Sequence, residues 1–546
     1  MKRLLIATLL CGHSLAWANL TLTPERQLTL AQVDSVAQQH EAVSLNAAAW
    51  ANVRAGHEVV LQAALNNQAV YGLTVGVGWN KDHPVFEEHH GQRTLSPELL
   101  TLSRQFNQSS LRAHSAGLGE PLPEAVVRAA MLMRLNTFLN GEAGVSTAVA
   151  EQYIAFLNHG ITPIVPSRGS VGEADITLAA HIGLAMIGEW DVWYQGKRQP
   201  ASKVMAKLGI KPLQPIGKDF LSILSTNALM AAQAQQTLRS AQRLYQQELA
   251  LFVLMLEGMN GNVAPFSHTA MQTRPFPAAS AAAADIRHQL DGSDLWQTHP
   301  QRALQDPLSY RSMAYTLGEV RQAMSQLETA LTLQINHSDD NPVVLIHGLN
   351  NADEGSQMRQ YAVAGSHEGA IVPTANFNFL PVAQSAAQLN EALAKLAEIM
   401  TQQLIRMENP ELTKLPRFLA APNNHGHAFG AIQKPFVATN QHIKTLAQPL
   451  WFDSVTLAGS IEDTASMSNQ TLANTQAIID GVYEIAAFQL LHGAQAVALR
   501  PDFTPSRSTQ KLLKAYRQQV PFIEQDIAYT PLIEKSLRFW RSYQPH

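Results

Sequence analysis

The chain has 546 residues, 46% hydrophobic and 15% charged, with a formal net charge of −4. That length allows several domains with large apolar cores, and the absence of a basic arm or charge run argues against nucleic-acid and membrane-surface binding. Alanine- and leucine-rich stretches with few β-branched runs point to helix, so the expected class is all-α.

Met1–Ala18 has the form of a signal peptide: Lys2 and Arg3, an apolar run from Leu4 to Leu10, then Ala16-Trp17-Ala18 as a small-residue cleavage site. The run is too short to anchor in a bilayer. Cys11, the only cysteine, lies inside it. Cleavage after Ala18 would leave no disulfide, zinc thiolate or thiol nucleophile, and a net charge of −6. The expected location is the bacterial periplasm.

From Asn19 to about Pro163, helical stretches alternate with glycine loops. Val70 to Gly78 is glycine-rich and carries one tyrosine, Tyr71, which on its own is a weak signal. Leu111 to Leu122 is a second punctuated segment, with His114. Pro166 to Trp190 opens with Gly169 and Gly172, which tolerate backbone angles other residues resist. It continues into an almost wholly apolar helix that should be buried. Glu173 and Asp175 are expected in its first turn, where a helix favours carboxylates.

Asn227 to Asn260 is one long helical pattern without proline. Gln305 to Arg311 is a polar motif, followed by Asp340-Asn341-Pro342 and Asn376-Phe377-Asn378. Gln384 to Met407 and Thr439 to Ala447 continue the long-helix pattern, and Asn423 to His427 reads as a loop. The expected divisions are a signal peptide at 1–18 and an N-terminal helical domain with active-site loops at 19–225. A central bundle of very long helices at 226–500 and a C-terminal cap at 501–546 follow. No phosphate cradle, helical metal-spaced His/Glu pair or Ser-His-Asp elbow stands out, so no metal and no cofactor is expected.

In order, these motifs resemble the aromatic amino-acid ammonia-lyases, especially histidine ammonia-lyase, from roughly Leu30 to Leu499. Gly169 to Gly172 match the family's Gly-Ser-Val-Gly, and Asp175 and His181 match with one residue deleted. Glu173-Ala174 stand where the family's Ala-Ser-Gly cyclises into a methylidene-imidazolone that captures the substrate amine, so the resemblance implies that this group does not form. Tyr71 matches the tyrosine that removes the β-proton. His114 matches the histidine facing the substrate imidazole, and Arg311 the arginine clamping its carboxylate, a job suited to a planar bidentate donor. Leu308 replaces a family tyrosine, and Asn378 a histidine. Asn341 matches the Asp-Asn-Pro turn, Gln433 a site glutamine, and Glu462 the glutamate that also meets the imidazole. Ser225 occupies the place of a family asparagine, with Asn227 two residues on. Lys434 is not a family residue. It is a surface lysine or, near Glu462, a tuned acid or charge partner.

The resemblance implies an all-α fold and a homotetramer of paired bundles. It also implies a small-molecule substrate whose amine leaves without electrophilic capture. A quaternary ammonium has no lone pair to form an adduct and leaves as a neutral tertiary amine. The expected function is that of the imidazolone-free branch called ergothionase, which eliminates trimethylamine from ergothioneine to give thiourocanate. In that scheme Tyr71 is the base and Arg311 holds the carboxylate. Glu462 and Lys434, with His114, hold and polarise the ring, while Phe377 and Tyr310 offer cation–π contact to the trimethylammonium. Two other readings stay open: an imidazolone-free lyase or aminomutase on another aromatic substrate, and a periplasmic binding protein without turnover.

Overall fold

The computed structural model describes residues 19–86, 96–350, 352, 355–365, 369–452 and 456–545. The expected signal peptide and Cys11 lie outside the described residues. Helices account for most of the described chain and the strands are short, as the all-α expectation requires. Among the described residues, no helix is long and apolar enough to cross a membrane.

The chain divides into two compact units that interleave in sequence. The first takes the described residues up to Gly169, then Ile176–Leu229 and Ile335–Asn376. Its helices include Ala47–Leu65, Pro97–His114, Glu124–Thr137 and Ile176–Met186. Local chemistry sets their ends: Ser96 accepts from the Leu99 amide before Pro97, and Thr29 and Gln32 form a reciprocal box at the start of Leu30–Gln39. A three-stranded antiparallel sheet joins Val343–Leu345, Gly369–Val372 and Ala362–Val363.

The second unit takes Ser170–Asp175, Met230–Gln334 and the described residues from Phe377 onward. The long helices are here: most of Ala228–Met259 and Met313–Ile335, then Leu380–Met407 and Ser468–Ala498. Leu380–Met407 and Ser468–Ala498 pack along each other, Gln433–Leu446 lies against both, and the C-terminal helix Thr530–Ser542 packs on Ser468–Ala498. Buried amides stitch this core: Gln489 donates to the Met400 carbonyl (3.2 Å) and to Gln403 Oε1 (2.8 Å). Such polar groups are tolerated at depth only when partnered.

One boundary differs from expectation. The apolar helix begins at Ile176, and Glu173 and Asp175 precede it. Ala174 has φ +52°, the left-handed region, which no helical first turn accommodates. Glu173 instead forms an antiparallel bridge with Asn378. Asp175 is fully buried and caps a different helix: Oδ1 accepts from Ser170 Oγ (3.0 Å) and Oδ2 from the Met230 amide (3.1 Å), the third N–H of Ala228–Met259. The burial expected of the apolar helix holds, with every residue from Leu178 to Met186 buried.

Candidate functional site

In the first unit, three predicted residues are each fixed by their own element. Tyr71 is half-buried, and its hydroxyl oxygen accepts from the Gly78 amide at 2.8 Å. The loop is held by Thr74, whose Oγ1 accepts from the Val70 amide (2.8 Å), and by Gly72 at φ +68°, where a Cβ would lie 2.4 Å from Leu221 Cδ2. Glycine is required there by both angle and space. His114 ends Pro97–His114, and its Nδ1 lies 2.8 Å from the Ser110 carbonyl. A carbonyl only accepts, so Nδ1 carries the proton, and in the neutral ring Nε2 is left as an acceptor.

Asn341 sits in a turn held from below. Its Oδ1 accepts from the Thr374 amide (2.9 Å), and Thr374 Oγ1 donates to the Asp340 carbonyl (2.6 Å). Beneath it, Arg134 pairs with Asp339 (2.6 Å) and Asp340 (2.9 Å), and Lys218 reaches Asp340 at 3.3 Å, with every side chain at most 3% exposed. Two cations and two anions cancel, which lets the cluster stay charged at depth. Burial pushes Lys218 down and Asp339 up, and Arg134 opposes the rise at Asp339. Asp339 also accepts from Thr226 Oγ1 (2.7 Å) and the Asn227 amide (2.8 Å). One cluster therefore anchors both the Asn341 turn and the entry to Ala228–Met259.

In the second unit, the loop Ser170–Asp175 is fastened to 466–468. The Met467 amide donates to the Val171 carbonyl (2.9 Å) and Ser466 Oγ to the Gly172 carbonyl (2.6 Å). A Cβ on Gly172 would fall 2.3 Å from Ser466 Oγ, so this contact needs glycine. Glu173 is half-buried, and burial pushes its carboxyl up to about 7; the Ser466 amide works against that rise and nearby Glu462 adds to it. The fold thus brings together Glu173, Glu462 and, through Asn378, the Phe377 segment. Phe377 and Glu462 are both half-buried.

Arg311 is also half-buried. Nη1 donates to the neutral Gln305 Oε1 at 2.7 Å, while Nε is buried with no acceptor among the described residues. A desolvated guanidinium N–H without an acceptor is costly unless a ligand supplies one. Tyr310 departs from the sequence reading: it is completely buried, with its hydroxyl donating to the Gln403 carbonyl (3.0 Å), and has no face left for a trimethylammonium.

Gln433 begins Gln433–Leu446 and donates through Nε2 to Glu408 Oε2 at 2.5 Å; Glu408 Oε1 lies 2.9 Å from His492 Nε2. Lys434 beside it is exposed and makes no ion pair with Glu462 among the described residues. Sequence reasoning missed Glu408, His492 and Ser466. None lies in a chemistry-bearing motif, and only packing exposes them. Among the described residues no three His, Cys, Asp or Glu gather where a metal ion could sit.

Residues 28–518 match the family described as aromatic amino acid lyase. The chain is 31% identical over 502 residues to histidine ammonia-lyase of Koribacter versatilis, covering 91% of this chain and 93% of that one. Among solved structures, ergothionase from Treponema denticola, an ergothioneine-degrading enzyme in complex with desmethyl-ergothioneine sulfonic acid, superposes with TM-score 0.88 at 33% identity, covering 96% and 99% of the two chains. Tyrosine aminomutase from Streptomyces globisporus superposes with TM-score 0.81 at 25% identity, covering 96% and 97%.

Proposed function

The chain belongs to the aromatic amino-acid lyase family, and we propose that within it this protein eliminates trimethylamine from ergothioneine to give thiourocanate, with no methylidene-imidazolone group. The observation that carries the reading is the loop between Gly172 and Asp175. Only Glu173 and Ala174 remain there, so no serine is available to dehydrate, and a half-buried carboxyl stands in its place. Such a loop cannot capture a primary amine as an electrophile does, whereas a trimethylammonium needs no capture.

Arg311 binds the substrate carboxylate through the N–H face that includes its unpartnered Nε. Tyr71 as phenolate takes the β-proton; the C–H electrons form the new double bond, the C–N bond breaks, and trimethylamine departs neutral. The Gly78 amide is already placed on the oxygen that would carry the phenolate charge. His114 Nε2, Glu462 and Lys434 hold the thioimidazole and draw into the ring the charge that develops at the β-carbon. Asn341 and Gln433 complete the substrate contacts, and Phe377 offers its face to the ammonium. The proposal includes a mature periplasmic homotetramer starting at Asn19.

The test is an ultraviolet assay of the purified protein against ergothioneine, hercynine, histidine, phenylalanine and tyrosine, with the released amine identified. Ergothioneine should give a conjugated acrylate and trimethylamine, and histidine should be at best a weak inhibitor. Comparable ammonia release from histidine or another aromatic amino acid would overturn the substrate assignment and leave the family. Binding of ergothioneine without turnover would overturn the enzyme.

A further inference from the structure

Glu408 closes the C-terminal end of Leu380–Met407 and is 2% exposed; His492, in Ser468–Ala498, is completely buried. Both ring nitrogens of His492 face oxygen: Nδ1 lies 2.8 Å from the Phe488 carbonyl and Nε2 lies 2.9 Å from Glu408 Oε1. The carbonyl can only accept, so Nδ1 donates. A single proton then lies between Nε2 and Oε1, whichever atom holds it. Glu408 Oε2 is thereby left as a pure acceptor, and what reaches it is Gln433 Nε2 at 2.5 Å. The ring of Phe429 packs on His492 at 4.7 Å between centroids.

Glu408 Oε2, as an acceptor, fixes which way the Gln433 amide points. Its NH₂ is committed inward to a carboxylate oxygen that cannot donate. Its Oε1 has no partner among the described residues and is left to accept from a ligand. An amide free to flip presents a donor or an acceptor with little preference; one clamped this way presents an acceptor.

We propose that Glu408 and His492 are positioning residues that hold the Gln433 amide with its oxygen toward the substrate, where it accepts from a ring N–H of the thioimidazole. This rests on the reading of Gln433 as a substrate contact. The arrangement selects rings carrying an N–H and disfavours rings alkylated at that nitrogen, since an oxygen facing a methyl group is left unpaired.

A double-mutant cycle tests it, with trimethylamine release by the wild type as the control. Glu408→Met should lower kcat/KM by about tenfold, near the worth of one well-made hydrogen bond, and mainly through KM because ring binding is common to ground and transition states. In a Gln433→Met background the same change should have almost no effect on kcat/KM. Glu408→Gln, which can still accept from Gln433 and donate to His492, should recover most of the loss. A second arm needs no Glu408 variant: wild type should discriminate against ring-N-methylated ergothioneine, and Gln433→Met should lose that discrimination. If the wild type releases trimethylamine but Glu408→Met costs the same in both backgrounds, or Gln433→Met discriminates unchanged, the positioning role is wrong while the function stands. If the wild type releases none, both fall.

Discussion

At the scale of single residues, the donor and acceptor ledger separates functional candidates from structural ones. Tyr71 shows the functional kind: half-buried, on a loop pinned by Thr74 and Gly72, with a backbone donor on its oxygen. Tyr71→Phe should lower kcat by on the order of 10² to 10⁴-fold, the usual worth of a general base, and leave KM nearly unchanged. A variant keeping more than about a tenth of wild-type kcat would move the base elsewhere. Glu248 shows the structural kind. It is fully buried in the long-helix unit, its Oε1 has no hydrogen-bond partner among the described residues, and burial pushes its carboxyl up to about 8. The unfolded chain releases this proton near 4.5, so between 4.5 and about 8 the native state binds more protons and stability falls as pH rises. Within that window the slope approaches about 1.4 kcal/mol per pH unit. Glu248→Gln lacks this proton, so its stability advantage over wild type should grow from pH 5 to pH 8 in denaturant titrations. Parallel curves for the two proteins would show that the carboxyl is solvated.

At the scale of elements, what the sequence revealed divides by distance along the chain. Tyr71, His114, Arg311 and Asn341 stood out as candidates because each sits in a short motif whose glycines, prolines or polar neighbours build the local turn. The long helices were legible from alanine, leucine and missing prolines, and Ala228–Met259 appears where the pattern placed it. The start of the apolar helix was not, because a bridge from Glu173 to Asn378 and a left-handed Ala174 override a favourable carboxylate position. Nor was Asp175's cap on Met230, or the Glu408–His492 pair, whose partners lie 55 and 84 residues apart. Tyr310 misled for the opposite reason: its motif is local, but its ring is spent on the core. The Arg134 cluster tests how far such long-range anchoring supports the site. Arg134→Met leaves Asp339 and Asp340 with Lys218 alone, an uncompensated buried charge that should cost about 3–5 kcal/mol of stability. A loss below about 1 kcal/mol would mean that water reaches the carboxylates.

At the scale of the whole molecule, the family match at residues 28–518 runs through both units, so the resemblance is not confined to one borrowed segment. The departure on which the proposed chemistry turns lies in one loop, fastened by Ser466 and Met467. That makes the covalent state of the whole protein the sharpest global measurement. Forming the imidazolone removes two waters from an Ala-Ser-Gly tripeptide, the second of them by dehydrating the serine. Glu173-Ala174 contains no hydroxyl to lose, and Ser170 is engaged elsewhere, its Oγ donating to Asp175 and accepting from the Gly172 amide at 3.0 Å each. The intact mass should therefore equal the plain sum of residues, from Asn19 to His546 under the proposed export, and borohydride should leave activity untouched. A deficit of two waters, or inactivation by borohydride with a shifted ultraviolet band, would mean that an electrophile forms after all. The case for a quaternary leaving group would then collapse, because a primary amine could be captured. A mass starting at Met1 would leave the chemistry intact and remove only the expected export.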